Sequence, residues 1–154
     1  MKNSTMCYIK KNGKTLMLHR IKKENDIHEG KWVGLGGKME TGETPEECIL
    51  REVEEESGLR LNNPKLRAIL TFPKFKDDED WYVFLFTGED FEGEIIDSDE
   101  GVLKWIDDSE ILGLNLWDGD KLFLKWLEDN RFFSGKIVYE KGKLVYDDVV
   151  FYDY

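Results

Sequence analysis

Short apolar runs punctuate this chain, and each stops at glycine, asparagine, proline or a charged cluster. Residues 6–9 and 15–21 are predicted strands, joined through Lys11-Asn12-Gly13-Lys14, because Asn-Gly suits the type I′ turn of a tight hairpin. Residues 22–31 are polar without a clear period and are predicted as a loop over a site. Trp32-Val33-Gly34-Leu35-Gly36-Gly37 is predicted as a short strand entering a glycine turn, where backbone groups can approach a ligand closely. Further strands are expected over 66–75, with Pro73 marking an edge or a bulge, and over 81–87 and 101–106. Asn62-Asn63-Pro64 and residues 76–80 are expected turns, and 88–100 an acidic loop. Leu122, Phe123, Trp126 and Leu127 recur at helical spacing within 118–128. Residues 136–139 and 144–151 form a closing hairpin around Lys141-Gly142. Strands before, between and after two helices predict the α/β class, a mixed β-sheet flanked by helices. Length and the lack of repeats or boundaries predict one domain over residues 1–154.

The other helix, over 45–57, has the clearest ends. Thr44 is a good N-cap, Pro45 suits the first helical position, and Glu47 completes a capping box. Gly58 supplies a residue able to take positive φ at the stop. Cys48, Ile49 and Val53 form the apolar face. Glu52, Glu55 and Glu56 are spaced i, i+3 and i+4, so their carboxylates leave one side of the helix. Like charges so placed repel. A hard divalent cation, Mg²⁺ or Mn²⁺, is the natural compensator for an all-oxygen set.

Gly37, Glu43, Arg51, Glu52, Val53, Glu55, Glu56, Gly58 and Leu59 fill the defined positions of the Nudix box. The chain resembles Nudix hydrolases, and across nearly its whole length the MutT-like branch that includes 8-oxo-dGTP diphosphatases. The resemblance implies a Nudix-type α/β/α sandwich. It implies that the Gly36 carbonyl, Glu55 and Glu56 hold metal, and that Glu52 combines metal and base chemistry. Which carboxylate takes the proton stays open. Arg51 is expected to orient a box carboxylate, since a planar guanidinium fixes carboxylate geometry, and Glu43 to help it order the loop. Asp99-Glu100 matches an outlying acidic position, with Glu100 a further metal ligand or base; a solvated carboxylate is the alternative. Trp117-Asp118-Gly119-Asp120 stands where the branch binds the base, which points to Trp117 and Asp120. Phe72 lies on a strand that often lines the base pocket and fits plain core packing equally well. Lys23 and Lys38 are placed to meet phosphates. Two positions depart from the animal oxidised-purine enzymes: Val33 replaces Asn, and Gly119 replaces the first of two Asp.

The implied reaction splits a nucleoside triphosphate, foremost 8-oxo-dGTP, into monophosphate and diphosphate for nucleotide-pool sanitation. A Nudix hydrolase of another nucleoside diphosphate derivative such as ADP-ribose is the alternative that Pro73 keeps open. A non-catalytic Nudix-fold module is the contrasting class, and such modules usually lose box carboxylates that this chain keeps. The net charge of −11 argues against a nucleic-acid polymer as partner, but metal can bridge acidic protein and acidic phosphate. Cys7 and Cys48 are expected as buried free thiols. No apolar run approaches membrane-spanning length, so a cytoplasmic location is expected, with a monomer favoured over a dimer.

Overall fold

The computed structural model describes residues 1–154. The chain runs through β1 (Lys2–Lys11), β2 (Lys14–His19), β3 (Trp32–Val33), β4 (Leu35–Lys38), α1 (Pro45–Ser57), β5 (Arg60–Asn62), β6 (Lys65–Lys76) and β7 (Glu79–Gly88). It continues through β8 (Asp90–Glu92), β9 (Val102–Asp107), α2 (Asp118–Trp126), β10 (Phe132–Glu140) and β11 (Lys143–Tyr152).

The large sheet is mixed, in the order β11-β10-β6-β7-β1-β2-β3. Strand β1 is its hub. It pairs parallel with β7 along one edge; on the other, Ser4–Cys7 pairs antiparallel with β4 and Ile9–Lys11 with β2. Residues 4–9 of β1 are buried or half-buried on both faces, and its apolar residues Met6–Ile9 are consecutive rather than alternating. Strand parity sends Cys7 and Ile9 to one face with Ile49 and Val53 of α1, and Tyr8 to the other with Phe123 of α2. The result is the α/β/α sandwich that the resemblance implied.

Three hairpin turns place both central residues at positive φ: Asn12-Gly13, Asp77-Asp78 and Lys141-Gly142. That is the type I′ geometry which matches strand twist. Pro73 lies in a bulge, where the β6–β7 register shifts between Phe72 and Lys76. Two expectations fall short. The second strand stops at His19 instead of Ile21. The acidic stretch 88–100 contains β8, which pairs with β5 in a separate two-stranded sheet. Each of these three-residue strands has a single apolar residue, Leu61 or Phe91, too few to show a period. Both cysteines are buried and free. No helix is long and apolar enough to cross a membrane.

Candidate active site

Helix α1 presents the box side chains because both its ends are fixed. Thr44 accepts from the Glu47 N–H, the Glu47 carboxylate accepts from the Thr44 N–H, and Gly58 closes the helix at φ 81°. Arg51 then organises the carboxylates around it. Its Nε and Nη2 donate to the two Glu43 oxygens at 2.7 and 2.9 Å, and its Nη1 donates to Glu52 at 2.8 Å and Glu55 at 3.4 Å. Nη2 also reaches the Lys38 carbonyl at 3.2 Å, which ties the helix to the strand carrying the glycine turn. The Glu43 carboxyl is pulled down to about 2, first by the Arg51 hydrogen bonds and then by the Glu40 N–H.

The glycines bring the strand against the helix. A Cβ on Gly37 would lie 2.5–2.7 Å from the Glu52 carboxylate, and one on Gly36, at φ 153°, would run into the Thr5 carbonyl. The Gly36 N–H donates to Glu56 Oε1 at 2.8 Å. Glu56 is buried, and its carboxyl is pushed up to about 9 by burial and then by the charges of Glu100 and Glu52, against the pull of that N–H. Burial also raises the Glu52 carboxyl, Arg51 opposes, and Glu55 and Glu100 add to the rise. From the far side, Arg20 donates to Glu100 at 3.1 Å and to Asp26 at 2.7 Å, fastening the 22–31 loop to Glu100.

Glu52, Glu56, Glu100 and the Gly36 carbonyl thus form an oxygen-only set whose members disfavour one another's charge. That is the chemistry a hard divalent cation satisfies. No three carboxylates converge on one point. The Glu55 side chain, 60% exposed, turns to Arg51 at 3.4 Å and does not line the cavity that Glu52 lines.

That cavity holds about 570 Å³, and two clusters of unlike chemistry line it. Gly36, Glu52 and Glu100 belong to one; Lys23 and Lys38 also line the cavity, and Lys38 Nζ lies 5.4 Å from the centre of the Trp81 ring. The other cluster is aromatic. Phe75 packs within 5.5–5.8 Å of Phe72, Trp117 and Tyr139, and Trp117 meets Tyr139 edge-on at 5.4 Å. Phe72 is buried and lines the cavity, so it belongs to core and pocket at once. The Trp117 indole donates to His28 Nδ1 at 2.8 Å, which requires that nitrogen unprotonated. Burial, followed by Arg20, lowers His28 to about 4 and keeps it so. Asp120 lines the same cavity, 5% exposed, with no hydrogen bond to its carboxyl. Burial raises that carboxyl to about 8, with Lys31 opposing.

Of the predicted residues, Gly36, Glu52, Glu100, Lys23, Lys38, Phe72, Trp117 and Asp120 line the cavity, with Arg51, Glu43 and Glu56 directly behind. Sequence reasoning missed Arg20, His28, Phe75 and Tyr139. The signal for Tyr139 was present: it shares strand parity with the buried Phe133, Gly135 and Ile137. His28 is a wall of the pocket. Pro73, the support for an ADP-ribose substrate, does not line this cavity.

A NUDIX domain profile matches residues 2–127. The chain is 34% identical over 121 residues to the Nudix hydrolase YvcI of Bacillus subtilis, covering 75% of this chain and 72% of that one. It is 33% identical over 113 residues to the oxidized purine nucleoside triphosphate hydrolase of Danio rerio, covering 73% and 72%. Its fold matches the crystal structure of the mutator MutT protein from Bacillus halodurans with a TM-score of 0.86 and 31% identity over 97% of both chains.

Proposed function

The chain belongs to the Nudix family, and from that premise we propose that it is a metal-dependent pyrophosphohydrolase of purine nucleoside triphosphates. Its preferred substrate is an oxidised guanine triphosphate such as 8-oxo-dGTP, cleaved to monophosphate and diphosphate. The observation that carries this reading is one cavity lined both by carboxylates with lysines and by aromatic rings with the unpaired Asp120 carboxyl. A triphosphate and a purine need those opposite surroundings.

Glu52, Glu56, Glu100 and the Gly36 carbonyl would hold Mg²⁺ or Mn²⁺. A bound divalent ion neutralises phosphate oxygens and makes water a nucleophile near neutral pH. The chain's own residues do the rest. Arg51, held bidentately by Glu43, orients Glu52. On this proposal Glu52 takes the proton of the attacking water. Lys23 and Lys38 meet the phosphates. Trp117, fixed by His28, offers a face for the base. Ionised Asp120 accepts from both N1–H and the N2 amine of a guanine edge, two donors that adenine lacks there. Those hydrogen bonds favour the charged carboxylate and offset the cost of burying it.

The test is a triphosphate screen with Mg²⁺, following diphosphate release. The expected order is 8-oxo-dGTP, then dGTP, then dATP, with loss of turnover in excess chelator. Full activity in chelator, or ADP-ribose as the best substrate, would overturn the reading.

A further inference from the structure

Position 119 is glycine where the resemblance leads one to expect an acid, which leaves this side of the base pocket short of a polar group. The structure shows what occupies the space. A Cβ on Gly119 would lie 2.6 Å from the Tyr139 hydroxyl and 2.8 Å from Ile137 Cγ2. The hydroxyl oxygen accepts from the Gly119 N–H at 2.7 Å. Tyr139 reaches this point from β10, on the strand face it shares with Ile137, and its ring completes the aromatic wall with Phe75 and Trp117.

The single contact fixes the direction of the hydroxyl. A phenolic O–H lies close to the ring plane, so its hydrogen has two favoured orientations. The Gly119 N–H fills one side as donor, which turns the hydroxyl hydrogen to the other. No protein acceptor meets it there, although the residue lines the cavity. The pocket therefore presents an acceptor from α2, Asp120, and a donor from β10, Tyr139, side by side and unpaired.

We propose that the Tyr139 hydroxyl is a specificity-determining donor that reads the carbonyl oxygen of a 6-oxopurine, next to the N1–H read by Asp120. This rests on the purine triphosphate reading above. An adenine presents an amine at the same place, and a fixed donor facing an amine leaves both unpaired. The polar group expected at position 119 is thus supplied by the closing hairpin, and glycine is required there because the phenol has taken its room.

The test compares dGTP, dITP and dATP with wild type and Tyr139→Phe. Inosine keeps the 6-oxo group and N1–H but lacks the N2 amine, which separates the Tyr139 contact from the second Asp120 contact. The expected outcome is a roughly three- to tenfold fall in kcat/KM for dGTP and dITP alike, the scale of one neutral hydrogen bond, carried by KM, with no fall for dATP, which loses a mismatched donor. A purely structural role would lower all three together. Equal losses on all three, or no loss, overturn the assignment. Gly119→Ala adds a check: alone it should lower the dGTP-to-dATP ratio, and on top of Tyr139→Phe it should not move that ratio further. A further fall of equal size in the double variant also overturns it. Should the wild type hydrolyse none of the three nucleotides with Mg²⁺, the proposed function falls and this inference with it. An active wild type with an unmoved ratio in Tyr139→Phe sinks this inference alone.

Discussion

Arg51 among the box carboxylates is hydrogen-bonded to three of them, whereas the Asp120 carboxyl among the aromatic rings has no hydrogen bond. The two clusters hold their charged groups in opposite ways. In the charged cluster a guanidinium, a backbone N–H and two glycines set each carboxylate before anything binds. That suits chemistry, where misplaced groups lower the rate directly. In the aromatic cluster, packing fixes the rings while the polar edge is left to the ligand. In the proposed function, selectivity arises there because a wrong base leaves buried polar atoms unpaired. On that proposal, interactions complete in the free protein set rate, and those left incomplete set choice.

The largest break in this contrast should come from the charged cluster. Glu52→Gln and Glu56→Gln are each expected to lose at least ~10²-fold in kcat, the scale for removing a base or a key charge stabiliser. Both should stay folded, since Glu52→Gln removes a like charge and the amide of Glu56→Gln can still accept from the Gly36 N–H. Near wild-type turnover in either would remove that residue from the chemistry. Trp117→Ala comes next. Stacking is worth ~1–3 kcal/mol by alanine substitution, so KM should rise about 5- to 150-fold for all purine triphosphates together, with kcat little moved. A loss confined to one base would mean that Trp117 reads an edge rather than a face.

Asp120→Asn should be milder and selective. Its amide accepts one of the two guanine donors and opposes the other, so kcat/KM for guanine substrates should fall about tenfold relative to dATP. Equal losses would rule out Asp120 as the reader. The smallest effect is on stability and runs the other way. The folded pKa of Asp120, about 8, is raised above its unfolded value. Its contribution is therefore fully present below the unfolded pKa and is lost as pH rises toward and through 8. Tyr8 from β1, Tyr139 from β10 and Lys31 from the loop face the group, and only Lys31 favours its charge. Asp120→Asn should match wild type near pH 4 and melt higher at pH 9, by about 2–4 °C per kcal/mol relieved. A Tm difference constant across that range would mean that Asp120 is not buried as a charge.

The same contrast explains what could be read from the sequence. The charged cluster is local: Glu43, Arg51, Glu52 and Glu56 lie within two turns of loop and one helix, so spacing alone places them. The capping box and the positive-φ Gly58 follow from neighbouring residues. The aromatic cluster is assembled by strand order. Phe75 ends β6, Trp117 caps α2 and Tyr139 sits on β10, which lies beside β6 only because the two strands pair in parallel. Nothing within a short window links those residues. Arg20 and His28 escaped for a related reason, as the loop they fasten has no period and takes its shape from contacts with Glu100 and Trp117.

The dependence of the pocket on β10 has a consequence for how the protein is made. A chain leaves the ribosome N-terminus first, at about 5–20 residues per second. Helix α1, its ion pairs and the central strands can assemble before Phe132–Tyr152 has emerged. For about 1–4 s, the time to make that hairpin at such rates, β6 has a bare hydrogen-bonding edge and the aromatic rings lack their last wall. An open edge of this kind is a template for pairing with another chain. The hairpin that brings Tyr139 to the pocket also covers the β6 edge, and it moves the open edge of the sheet out to β11.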